Sequence, residues 1–211
     1  MTPADAGPVD VWTGAKVRLR GVEPQDWEAF MAFDRHSADM RAADRVHPPR
    51  SAEGYRRWAA EQATREASDD LGLAIESLAD GALVGMVSTS GVDRRAGRFG
   101  YGIGIGRAHQ RRGYAADAVV LLLRYLFGEQ RLHKCEAAVH AYNEPSLALH
   151  RALGFRVEGR LRDHEFFAGR HHDVVLFGMT ADEFGGRHRF PEVGASVDGA
   201  GSRIDGSIRR T

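Results

Sequence analysis

The sequence predicts one mixed α/β domain, built on a central, mostly antiparallel sheet of six to seven strands flanked by about four helices. Three observations predict it. Short alternating or apolar runs recur along the chain, bounded by Gly, Asp and Pro turn signals. Stretches with apolar residues at helical spacing stand between some of them. A single strand–helix–strand unit, Arg98 to His140, is the one place where a parallel pair is required.

In chain order, residues 1–14 carry no periodic pattern and read as a loose leader. Lys16 to Arg20 alternates and predicts a first strand. Pro24, a favoured first-turn residue, opens a helix carrying Trp27, Phe30, Met31 and Phe33. His47-Pro48-Pro49 breaks the chain, and a second helix starts near Ser51 with Tyr55, Trp58 and Ala59 on one face. Leu71–Leu78 and Leu83–Ser90 are strands joined by Asp80-Gly81, a hairpin signal. A turn over Asp93–Gly97 leads to the strand Arg98–Ile105, and a basic loop leads to a helix over about Gly113–Phe127. Its stripe is Ala115, Val119, Leu122 and Leu126. Lys134–His140 alternates as a strand. Pro145–Leu153 is a short helix stopped by Gly154. Arg156–Phe167 and His171–Met179 are the last two strands. From 185 to 211 the chain is rich in Gly, Ser and charge and reads as a mobile tail. The domain proper is therefore expected over 15–184.

Composition narrows the function classes. The chain has 211 residues, 43% of them apolar, enough for a real core. Lys+Arg and Asp+Glu both number 29, so there is no basic excess to grip nucleic acid. The single cysteine, Cys135, cannot form an internal disulfide and fits a reducing compartment. Residues 1–10 show no secretory signal, and the longest apolar run, Ala118–Leu123, is far shorter than a membrane span. The expectation is a cytoplasmic protein with neither nucleic-acid nor membrane partners.

The most informative stretch is His109-Gln110-Arg111-Arg112-Gly113-Tyr114-Ala115, between a strand and a helix start. Free N–H groups and the helix dipole make such a place suit a pyrophosphate. Gly113 permits close approach, and Arg107, Arg111 and Arg112 supply further charge. A solvated basic loop before an ordinary helix would read the same way. Neither Gly-x-x-x-x-Gly-Lys-Ser/Thr nor Gly-x-Gly-x-x-Gly is present.

Gln110-x-x-Gly113-x-Ala115 resembles the Gln/Arg-x-x-Gly-x-Gly/Ala signature of the GNAT N-acetyltransferase superfamily. Asn143-x-x-Ser146 followed by Leu153-Gly154-Phe155 is similar to its next segment. Val157-Glu158-Gly159, His164-Glu165-Phe166-Phe167 and Asp173-Val174 resemble the last two strands of its Rim-type branch, which holds ribosomal-protein N-terminal and spermidine acetyltransferases. The resemblance covers about residues 15–184 and implies the GNAT fold, splayed between the fourth and fifth strands. It implies acetyl-CoA as co-substrate, held by Gln110, Arg111, Arg112, Gly113, Tyr114 and Ala115. Asn143 and Ser146 would meet the pantetheine arm, although Asn143 also reads as a helix cap. The strand before the loop bulges in the family, and here a backbone N–H of Ile103 or Ile105 would face the thioester oxygen.

The implied reaction is acetyl transfer to a primary amine by direct attack in a ternary complex, since no activated Cys or Ser stands out. The resemblance places the base at Glu165. Phe166 and Phe167 beside it predict apolar surroundings that suit a base near neutral pH, while a surface hairpin glutamate remains the alternative. The family's tyrosine seven residues after the asparagine is replaced by His150, which could serve as the acid, as could Ser146. Two acceptors compete. A protein N-terminus fits the Rim-type match as a whole, and spermidine fits the run His164–Phe167; another small amine stays open. A CoA-binding regulatory module without turnover is the reading from a different class, and a homodimer is common in the family. No metal is expected: His171 and His172 are adjacent on a strand and point to opposite faces.

Overall fold

The structure is a computed structural model and describes residues 10–43, 45–66, 68–188 and 190. One seven-stranded sheet runs in the order β1-β2-β3-β4-β5-β7-β6. Its strands are β1 (Val17–Arg20), β2 (Gly72–Ser77), β3 (Leu83–Asp93), β4 (Arg98–Ile105), β5 (Lys134–His140), β6 (Arg156–Phe167) and β7 (Arg170–Thr180). Every neighbouring pair is antiparallel except β4–β5, as the strand–helix–strand unit requires. The helices are α1 (Trp27–Phe33), α2 (Ser37–Ala43), α3 (Ala52–Ala63), α4 (Tyr114–Gly128), α5 (Glu144–Leu153) and α6 (Ala181–Gly185). The short α2 and α6 add to the four helices expected, and Pro24 opens a 3-10 turn ahead of α1.

Burial divides the sheet into two faces. On one, Val119, Leu122, Leu126 and Phe127 of α4 and Leu147 and Leu153 of α5 pack on Ile75, Val87, Phe99, Cys135, Val139 and Phe177. Cys135, Ala137 and Val139 are all buried, as the alternation of β5 demands. On the other face, Phe30 of α1 and Tyr55 and Ala59 of α3 close on Ala74, with Trp58 edge-on to Phe30 at 4.8 Å. Ser51 caps α3 by accepting from the Gly54 N–H. No helix among the described residues is long and apolar enough to cross a membrane.

At the start of the chain, residues 1–9 lie outside the described residues, but 10–14 are engaged. Trp12 accepts from the Leu19 N–H at 2.8 Å and packs its ring on Tyr125. Asp117, in the first turn of α4, accepts the N–H groups of Ala15, Lys16 and Val17. A side chain at Gly14 would strike that carboxylate. At the far end, Gly185 closes α6, and Phe190 reaches back to Phe184 at 5.4 Å. Residues 189 and 191–211 of the expected tail lie outside the described residues.

Candidate active site

The site begins where the sheet opens. β4 and β5 pair only over Arg98↔Lys134, Phe99↔Cys135 and Gly100↔Glu136, then diverge. The Gly106 N–H donates to Val84 of β3. Because backbone groups alternate edges along a strand, Gly104 and Gly102 face β3, while Ile103 and Ile105 present theirs to the gap. The expected bulge in Gly102–Ile105 is absent. β4 keeps register with β3 from Gly100 to Ile105, and the irregularity lies in β3 between Ser90 and Asp93. The β4 glycines act differently, by stripping side chains from one face. A Cβ on Gly106 would enter the Phe33 ring at 2.3 Å.

The loop after β4 supplies one end of the gap. Gly113 stands at the N-cap of α4 with φ 85°, and no side chain caps the helix. Its first-turn N–H groups are therefore left for a ligand. Arg111 is also left-handed, at φ 64°. Lys16 reaches across from β1 to donate to the Arg112 carbonyl at 2.8 Å, and a Cβ on Gly113 would come within 2.8 Å of its Nζ. Gln110 turns back to donate to the Ile105 carbonyl at 3.1 Å, so its amide buckles the loop to β4. Gln110, Arg111, Gly113, Tyr114 and Ala115 line a cavity of about 530 Å³ with Ile103 and Ile105. Tyr114 is buried, its hydroxyl 3.3 Å from Ser77. Two of the expected phosphate arginines are placed otherwise. Arg107 is held bidentately by Asp39 at 2.9 and 3.0 Å, and Arg112 is not among the residues lining the cavity.

Across the gap, Asn143 caps α5 by accepting from the Ser146 N–H, while its amide donates to the Ala42 carbonyl at 3.1 Å. Both readings of Asn143 stay open, since it also lines the cavity beside the loop. Asn143, Ser146 and Ile103 belong both to that cavity and to a second one of about 450 Å³, which holds Glu165 and His150. The two cavities therefore share a stretch of lining between the loop and the carboxylate.

His150, the candidate acid, is placed by the structure in the lining of the Glu165 cavity. It is 3% exposed, stacked on Phe177 at 5.1 Å. Its Nδ1 lies 2.8 Å from the Ser146 carbonyl, which can only accept, so Nδ1 carries the proton. Burial pushes the imidazole below its usual range, partly opposed by that bond. The neutral ring then has a bare Nε2, which accepts from the Tyr101 hydroxyl at 2.9 Å. Burial holds the Tyr101 phenol far above its ordinary value, so it stays a donor. Tyr101 escaped the sequence reading because only tertiary contact joins it to His150.

The pH consequence has a definite sign. With the folded value below the unfolded value of ~6.5, the unfolded chain takes up a proton in slightly acidic solution that the folded chain refuses. Stability contributed by neutral His150 is lost as pH falls. The thermal midpoint of the wild type is expected to drop more steeply from about pH 7.5 to about pH 5 than that of His150→Phe. Equal slopes would show that the ring is not held neutral.

Glu165 owes its position to irregular pairing. β6 and β7 are in register at Leu161↔Val174 and again at Glu165↔His172, so β6 carries two extra residues between them. Asp163 in this bulge has φ 49°, and its N–H donates to Asp173 at 2.9 Å. Asp173 also takes Arg160 at 2.7 Å, and the two contacts hold its carboxyl below the usual range. The apolar surroundings expected around Glu165 do not form: its side chain is 50% exposed, and Phe166 turns outward at 64%. Phe167 instead stacks flat on His172 at 3.8 Å.

A third cavity of about 610 Å³ continues from Ile103 toward Phe30, Phe33, Tyr55 and Trp58. Asp34 there accepts the Tyr55 hydroxyl at 2.8 Å; burial, with Asp34 adding to it, pushes that phenol up to about 12.

Residues 16–156 match the family described as Acetyltransferase (GNAT) domain. The chain is 37% identical over 176 residues to the SPbeta prophage-derived uncharacterized N-acetyltransferase YokL of Bacillus subtilis, covering 83% of this chain and 96% of the relative. It is 30% identical to the putative ribosomal N-acetyltransferase YdaF of the same organism, covering 81% and 94%. Among solved structures, spermidine N-acetyltransferase from Vibrio cholerae in complex with CoA and spermine superposes with TM-score 0.69 at 21% identity, covering 80% and 97%.

Proposed function

The chain belongs to the GNAT acetyltransferase family of acetyl-CoA-dependent N-acetyltransferases, and from that premise we propose that it acetylates the amino terminus of a peptide or protein. The observation that carries the reading is the gap beyond Gly100, which joins the loop-side cavity to the Glu165 cavity through Ile103, Asn143 and Ser146. The loop and the uncapped start of α4 suit the pyrophosphate of acetyl-CoA, with Arg111 beside them. The thioester then lies along β4, where the Ile103 or Ile105 N–H faces the carbonyl oxygen.

Glu165 takes the proton that frees the amine, the amine nitrogen bonds to the carbonyl carbon, and the C–S bond breaks as CoA thiolate leaves. Ser146, which lines both cavities, protonates the sulfur in this reading. His150 orients Tyr101 at the edge of the gap and is a positioning residue.

A polyamine acceptor is the second reading, favoured by the carboxylates of the third cavity. Asp39 is already paired with Arg107, however, while Asp34 accepts the Tyr55 hydroxyl and keeps its charge. The test is CoA release over a panel of N-terminal peptides, spermidine and aminoglycosides. Turnover on peptides is expected. Turnover on spermidine alone would choose the second reading, and acetyl-CoA binding with no turnover on any amine would favour a regulatory module.

A further inference from the structure

Arg41 lines the cavity around Glu165, and Glu165 is the one carboxylate among the described residues that line it. Arg41 stands out. Its backbone is fixed by the site itself, since the Tyr142 hydroxyl donates to its carbonyl at 3.1 Å and Asn143 holds the next carbonyl. Its guanidinium lies over the Phe167 ring, 5.5 Å from the centroid. Its Nε is buried and has no hydrogen-bond partner among the described residues. Arg41 as a whole is half-buried, and an unfilled donor edge beside the cavity suits a carboxylate that arrives with the substrate.

The placement follows from the strand. Glu165 and Phe167 are two residues apart in a stretch of β6 that pairs regularly with β7, so they project from the same face. The guanidinium over Phe167 therefore stands on the side of β6 from which Glu165 projects, and both line one cavity. A peptide whose amine meets Glu165 brings its next side chain into the cavity that Arg41 lines.

We propose that the acceptor is a peptide amino terminus followed by Asp or Glu at its second position, with Arg41 reading that carboxylate while Glu165 receives the amine. This rests on the acetyl-transfer reading above. It also argues against spermidine, whose additional ammonium groups would meet Arg41 instead of a carboxylate.

The experiment measures kcat/KM with acetyl-CoA on hexapeptides identical except for Asp, Gln or Lys at position two, using wild type, Arg41→Met and Arg41→Glu. Wild type is expected to favour Asp over Lys by about 10–100-fold, the range of a charge-assisted hydrogen bond. In Arg41→Met that ratio should collapse to within about threefold, and in Arg41→Glu it should invert. If Arg41→Glu does not fold by circular dichroism, the collapse in Arg41→Met decides. A wild type indifferent to position two, or one preferring Lys or spermidine, overturns the proposal and leaves acetyl transfer standing. A raised KM for acetyl-CoA in Arg41→Met with the peptide ratio intact assigns Arg41 to the co-substrate and also overturns it. Absence of turnover on every amine, with acetyl-CoA still bound, overturns the functional reading and this proposal together.

Discussion

Glu165→Gln is expected to lower kcat by about 10²–10³ while changing the KM for acetyl-CoA little. The substitution keeps the size and hydrogen-bonding reach of the side chain and removes only its capacity to accept a proton. Glu165 is the one carboxylate among the described residues lining its cavity, and Ile103 lines both that cavity and the loop-side one. The side chain is half exposed, so the substitution should leave the fold intact. Single-turnover rates against pH provide the check. At each pH the wild type should turn over about 10²–10³-fold faster than Glu165→Gln. A variant that keeps kcat within about threefold would place proton removal elsewhere, with solvent as the first candidate.

Gly113→Val is expected to weaken acetyl-CoA binding by about 30–150-fold, or about 2–3 kcal/mol. Two effects combine. A β-branched residue at φ 85° costs more than the roughly 1–2 kcal/mol that a left-handed conformation costs an ordinary residue. The new Cβ would also fall within 2.8 Å of Lys16 Nζ, displacing it from the Arg112 carbonyl that it steadies. Relief of either strain rotates the peptide groups on which the proposed pyrophosphate contact depends. Calorimetric titration with CoA measures the loss. Gly91→Ala is the matched control: Gly91 has φ 56° and open space around its Cβ position, and it lies beside the start of β4, at the opposite end of that strand from the loop. It should lower the thermal midpoint and leave CoA affinity unchanged. Equal loss in both variants would mean that general destabilisation, and not the loop, governs binding.

These two residues also mark how far the sequence could be read. Gly113 was legible because a glycine between a basic loop and an apolar stripe has few other uses, and the strands were legible because alternation records which face is wet. The parallel pair followed from connectivity alone. The short helices were less visible. α2 has only seven residues, and α6 only five, although Thr180-x-x-Glu183 is a capping box whose signal was present. The bulge in β6 was out of reach, because it exists only relative to the register of β7. The apolar setting expected for Glu165 failed for the same reason. Adjacency to Phe166 and Phe167 in sequence says nothing about burial when one ring turns outward and the other stacks on His172. The pairing of His150 with Tyr101 spans 49 positions, and no local pattern signals it.

The clasp of Asp117 on the backbone of Ala15, Lys16 and Val17 joins positions about a hundred residues apart. Closing so long a segment is entropically demanding, and strands held by such remote pairing join slowly. During synthesis β1 emerges first, yet its partners β2 and α4 come much later, so it must wait undocked until α4 has formed. Lys16 reaches the Arg112 carbonyl only once that docking is complete. Competence to grip a pyrophosphate should therefore be among the last properties the nascent chain acquires, making CoA retention a sensitive reporter of finished folding.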